Sequence, residues 1–151
     1  MVGIEGLQLI KHFEGCRLEA YQDSAGVWTI GYGHTSNVFK GMKINEVEAT
    51  HFLYADLLMA EIKVDNYLKV PLKQYEKDAL ISNAYNLSTR SVKKLIEYVN
   101  ESKDLYLHKL LLYHKDAKGN PLLGLKRRRE AESYLFQGKT WKEIKNIIEV
   151  L

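Results

Sequence analysis

Apolar positions follow helical spacing over most of the chain. Ile4, Leu7, Ile10 and Phe13 recur every three residues and predict a short amphipathic helix that Gly15 is placed to end. The pattern then changes. Residues 18 to 21 and 27 to 32 are strand-like, and the QDSAG between them is a turn cluster of Asp, Ser and Gly. A third short strand is expected from Met42 to Ile44, after a loop from His34 to Gly41. Asn45 followed by Glu48 reads as a capping box and opens a helical pattern that continues to about Tyr67. At about 1.5 Å per residue this helix would span roughly 35 Å, the width of a whole small domain, so it should join two lobes.

After Val70 and Pro71 the chain stays helical almost to its end. Val92, Leu95, Ile96 and Val99 obey the i, i+3, i+4, i+7 rule, so 89 to 100 is a core-facing helix. Ser102 can cap the next, running to about Tyr113, and Ala117 to Pro121 is a turn. Residues 124 to 137 form another helix ending at Gly138. Thr140 with Glu143 makes a second capping box ahead of Trp141, Ile144, Ile147 and Leu151. The expected fold class is α+β and mostly helical, with one small antiparallel hairpin. The chain reads as a single domain, 1–151. A small β-containing lobe covers about 14–45, a connecting helix about 46–67, and a helical lobe about 70–151 together with the N-terminal helix.

Length and composition agree with one globular domain: 151 residues, 46% hydrophobic, only two prolines. A net charge of +3 favours a polyanionic partner, and leaves nucleic acid, an anionic membrane and the bacterial cell wall all open. Cys16 is the only cysteine, which excludes an intramolecular disulfide; a lone cysteine of this kind is expected to pack as a small hydrophobe. No apolar run approaches the roughly 20 residues that cross a bilayer, and no signal-like segment opens the chain. A soluble protein made in the cytoplasm is the expectation.

Candidate chemistry concentrates between Glu14 and Thr35, in the text EGCRLEAYQDSAGVWTIGYGHT. Glu14 stands at the C-terminal end of the first helix, where the macrodipole disfavours a negative charge, a setting that suits an acid catalyst. Hydrolysis of a glycosidic bond calls for one protonated carboxyl and one carboxylate, and Glu14 with Asp23 could supply them. Thr29 adds a hydroxyl able to hold water. Spacing alone favours a blander reading, of ordinary surface charges and a strand-former, because Glu, Asp and Thr are common.

The surrounding text reverses that preference. EG-x8-D-x5-T followed by IGYGHT resembles the phage-type lysozymes, glycoside hydrolase family 24. ALISNAYN, from Ala79 to Asn86, resembles that family's ALxSxxxN segment, and GLKRRREAESYLF, from Gly124 to Phe136, resembles its GLxxRRxAExxLF segment. The resemblance implies a lysozyme-like fold and cleavage of the β-1,4 bond between N-acetylmuramic acid and N-acetylglucosamine in bacterial peptidoglycan. It implies Glu14 as general acid, and Asp23 with Thr29 holding water on the opposite face of the sugar, which predicts inversion. From KRRRE, otherwise a solvated helix face or a nucleic-acid patch, it brings Arg127, or failing that Arg128, towards Glu14 as a supporting ion pair. That pair would favour the ionised carboxylate, against the helix-end effect.

Tyr32, Tyr85 and Asn86 are candidates for binding the glycan, with helix-end packing an equal alternative for the last two. His34, in a Gly-rich turn, is expected to fix its loop by a hydrogen bond rather than to act in catalysis. No metal-ligand spacing such as HExxH occurs, so neither metal nor other cofactor is expected. One departure stands out: the family's FNxG reads YNLS here, with Ser88 in the glycine position. If that position needs positive φ, either Ser88 adopts another conformation or the helix break has shifted.

The implied partner is bacterial peptidoglycan, bound by a monomer with no nucleic acid and no membrane span. The implied location is the host cytoplasm before release through a separate pore to the wall. Two other classes stay open: an inactive relative that only binds wall glycan, and a small basic nucleic-acid-binding domain for which KRRRE is the sole support.

Overall fold

A computed structural model describes residues 1–149. Helix α1 (Ile4–Glu14) buries Leu7, Leu9 and Ile10. Ile4, expected on the buried face, is instead exposed, because the stripe facing the core is centred on Gly6, Leu9 and Ile10. Gly15 closes the helix with φ 66°, its N–H bonded to the Lys11 carbonyl at 3.0 Å. The chain leaves the core there, and Cys16, expected to be packed, is exposed.

Strands β1 (Arg17–Gln22) and β2 (Trp28–Gly31) pair antiparallel. Their register runs Arg17–Gly31, then Tyr21–Thr29: four steps on β1 against two on β2, a bulge in β1. The expected third strand is reduced to a bridge between Glu19 and Lys43, flanked by Ala20 N–H to Met42 O and Ile44 N–H to Leu18 O, each 2.9 Å. Asn45 then caps α2 (Glu46–Tyr67) in the predicted box: its side chain accepts the Glu48 N–H at 2.8 Å, and Glu48 returns the bond to the Asn45 N–H at 3.2 Å.

Helices α3 (Gln74–Asn86), α4 (Thr89–Glu101), α5 (Lys103–Leu110), α6 (Leu123–Phe136) and α7 (Trp141–Ile148) complete the described chain. Ser102 caps α5, which is three residues shorter than its pattern suggested, and Thr140 with Glu143 caps α7. Leu151, expected on the apolar face of α7, lies outside the described residues. Ser88 caps α4 with φ −63° and accepts the Ser91 N–H. Extended backbone at this position needs no glycine, so the substitution in YNLS carries no strain.

The main core gathers Leu9 and Ile10 of α1, Leu53 and Val64 of α2, Leu80 and Ile81 of α3, Leu95 and Ile96 of α4, and Leu135 and Ile144 beyond. Its fully buried members include none between residues 14 and 45. The hairpin rests instead on the first half of α2, where Gly31 comes close enough that a Cβ would stand 3.4 Å from that of Ala49. His34 stacks on Phe52 at 4.4 Å and bonds Asp56 through Nδ1 at 2.8 Å. This is the loop-fixing role expected of it. Among the described residues no helix is long and apolar enough to cross a membrane.

Candidate active site

The end of α1, the middle of α6 and the end of α3 meet at Glu14. Phe13, Glu14, Asn86, Gly124, Leu125 and Arg128 border a hollow of about 430 Å³ that is open to solvent. Glu14 is held there from two sides. Its Oε2 accepts from Arg128 Nη1 at 2.6 Å. Near Oε1 runs the backbone of Gly33, with φ 92°; a Cβ on Gly33 would lie 3.3 Å from Glu14 Oε1 and 3.4 Å from the Tyr85 hydroxyl. Glycine permits both the positive φ and this approach.

The ion pair corrects the expectation for Arg127. The guanidinium on Glu14 belongs to Arg128, which is 3% exposed, whereas Arg127 borders the opposite side of α6 with Leu123, Lys126 and Glu130. One residue is about 100° of helix, so Arg128 shares the inward face with Glu132 and Arg127 does not. The buried ring of charge continues below it: Arg128 Nε lies 3.4 Å from Glu132 Oε2, Ser82 Oγ donates to that oxygen at 2.5 Å, and Arg129 Nη1 lies 3.3 Å from Glu132 Oε1. The sequence offers Arg128 only as the second choice and gives Ser82, Arg129 and Glu132 no role, although Arg128 and Glu132 are spaced i, i+4.

Tyr85 donates its hydroxyl to the Tyr32 carbonyl at 2.6 Å. Burial, then the charges of Glu14 and Asp56, push this phenol far above its ordinary value, so it remains a donor. The Asn86 carbonyl oxygen accepts from Arg129 Nη2 while the side chain stays exposed at the hollow. Tyr32 contributes its carbonyl, but its ring lies under the Lys11 ammonium, 5.4 Å away, with Thr50 as a hydrogen-bonding neighbour. Tyr85 and Asn86 are thus brought to Glu14; the Tyr32 ring is turned toward α2.

Asp23 opens the hairpin turn and organises it. Its Oδ1 accepts from the Ala25 and Val27 N–H groups, both at 2.9 Å, while its own N–H and C=O bond Val27 O and Gly26 N. One carboxylate oxygen is spent on the turn and orients the other. Thr29 is buried and donates its hydroxyl to Val27 O at 2.9 Å, which leaves its lone pairs as acceptors. A separate hollow of about 460 Å³ on the outer face of α4, edged by Arg90, Lys93 and Lys94, holds no such pair of carboxylates.

A mostly helical body with a small hairpin, and a glutamate pinned by a buried arginine at their junction, define a protein of the lysozyme class. The sequence profile described as phage lysozyme matches residues 11–132. An endolysin from Acyrthosiphon pisum secondary endosymbiont phage 1 is 38% identical over 141 residues, covering 88% of this chain and 95% of that one. The endolysin of Salmonella phage P22 is 32% identical, covering 89% and 97%. Among solved structures, the muramidase domain of SpmX from Asticaccaulis excentricus superposes with a TM-score of 0.85 at 32% identity, covering 92% and 99%. The chain belongs to the phage lysozyme family.

Proposed function

We propose that this protein is an endolysin that hydrolyses the β-1,4 bond between N-acetylmuramic acid and N-acetylglucosamine in bacterial peptidoglycan, with Glu14 as general acid. The observation that carries the assignment of Glu14 is its seat: a carboxyl at a helix end, 19% exposed, held at 2.6 Å by a buried guanidinium on the wall of an open hollow. Enzymes of this kind keep the acid in place while a polymer lies across it.

Asp23 and Thr29 hold the attacking water on the other face of the sugar. The turn bonds that fix one Asp23 oxygen, and the lone pairs left on Thr29 once its proton is given to Val27, support that division. Tyr85 and Asn86 border the glycan path. The hairpin region and the helical body act as two lobes joined by α2, a reading supported by the main core's lack of fully buried members from residues 14–45. The enzyme works as a monomer, binds no nucleic acid, and waits in the host cytoplasm until it reaches the wall.

Because water is activated directly, the first product carries inverted configuration. Proton NMR of glycan strands during the first turnover should show the α anomer appearing before mutarotation. A β anomer first would remove the water-holding role from Asp23 and make it a nucleophile.

A further inference from the structure

Arg128 reaches Glu14 with one nitrogen, and its other two are held from behind. Nη1 bonds Glu14 at 2.6 Å; Nη2 lies 3.3 Å from Ser82 Oγ; Nε lies 3.4 Å from Glu132 Oε2. A guanidinium is a rigid planar fork, so fixing two of its nitrogens fixes where the third points. Glu132 is fully buried, and Ser82 donates to the same Glu132 oxygen that faces Arg128.

The charges need Glu132 as much as the geometry does. Arg128 and Arg129 are adjacent and both buried, at 3% and 0% exposure. Burial pushes the Arg129 guanidinium below its ordinary value; Glu132 opposes that, and Arg128 adds to it. Glu132 touches both cations. Without it, two buried guanidiniums would face Glu14 alone, and one buried positive charge would be left uncompensated beside the site.

We propose that Glu132 is a positioning residue for glycosidic cleavage: with Ser82 it aims Arg128 at Glu14 and offsets one of the two buried positive charges, so that the pair with Glu14 keeps its geometry. The proposal rests on Glu14 being the acid. Glu132 does not touch the glycan and acts through Arg128. The charged and titratable groups around Glu14 are Arg128, Arg129 and Glu132 from α6 and Tyr85 from α3; His34 of the adjoining loop is paired with Asp56 of α2.

The test is Glu132→Gln, which keeps the shape and removes the charge, assayed across pH on purified peptidoglycan with the melting temperature followed in parallel. The expected result is a fall in kcat of about tenfold with KM little changed, and a basic limb of the pH profile displaced to lower pH. Glu132→Asp should restore the limb, since it restores the charge. If Glu132→Gln does not fold, Ser82→Ala replaces it, a change too small to open a cavity, with a fall in kcat of about threefold expected at unchanged KM. A folded Glu132→Gln that melts earlier but keeps the wild-type kcat and pH limb would overturn the proposal, as would full activity in Ser82→Ala. A lytic Glu14→Gln would instead remove the acid assignment, so the two failures are told apart.

Discussion

At the scale of single residues, the side chains that matter are held by backbone they themselves organise. Asp23 is oriented by two N–H groups of its own turn, and Thr29 by a carbonyl two residues back. Asp78 shows the same economy away from the site, with a cost. It accepts from the Gly3 N–H and from Gln74 Nε2, tying the chain's start to α3, yet burial raises its acid above the ordinary 3.8. A carboxyl that keeps its proton longer in the folded state than in the unfolded one contributes stability at low pH and loses it as pH rises through the folded value. Asp78→Asn carries no charge to desolvate. Its melting temperature, relative to wild type, should therefore rise as pH climbs through and above the ordinary value of 3.8. A constant or shrinking difference in calorimetry would contradict that sign.

Residue spacing showed some of this and hid the rest. Glu14, Asp23 and Thr29 stand out because their neighbours carry a recognisable text. His34 could be read as structural from its Gly-rich turn, but its partners could not, because Asp56 and Phe52 come from α2. The choice between Arg127 and Arg128 turned on helix phase, which adjacent arginines do not reveal by themselves. The partner was the missing signal: Arg128 has Glu132 four residues on, on the buried face. Exposure of Cys16 was not legible either, because it depends on the direction in which the chain leaves Gly15.

At the scale of elements, caps were the most readable feature. Asn45 with Glu48 and Thr140 with Glu143 form the reciprocal bonds that their types and spacing implied. Ser88 belongs with them, since it sits at a helix start where a side-chain oxygen is useful and glycine is unnecessary. Asn45→Ala should lower the unfolding free energy by about 1 kcal/mol in urea titration, because it frees the Glu48 N–H at the head of a long helix. No measurable loss would mean that α2 is held by packing alone. The third strand was overestimated because Met42 to Ile44 has strand-like composition but shares only the short Leu18–Ala20 stretch with β1.

At the scale of the molecule, the chain builds one large helical core and sets a small hairpin against it through α2. α1 precedes the hairpin in sequence but packs with the later helices, so the carboxyl it carries at its last residue emerges where hairpin and body meet. Arg128 comes from near the other end of the chain, 114 residues away, and closes that junction from the helical side. The seat of Glu14 is therefore a product of topology: α1 and α6, far apart in sequence, supply it together.

The most direct measurement is the initial rate at which purified bacterial walls lose turbidity, for the native chain and for Glu14→Gln at equal folded concentration. Gln can still accept from Arg128 Nη1, so circular dichroism and melting should stay close to native. The rate should fall by about 10²–10⁴-fold, the worth of a positioned general acid. Clearing at the native rate by the folded variant would contradict the account.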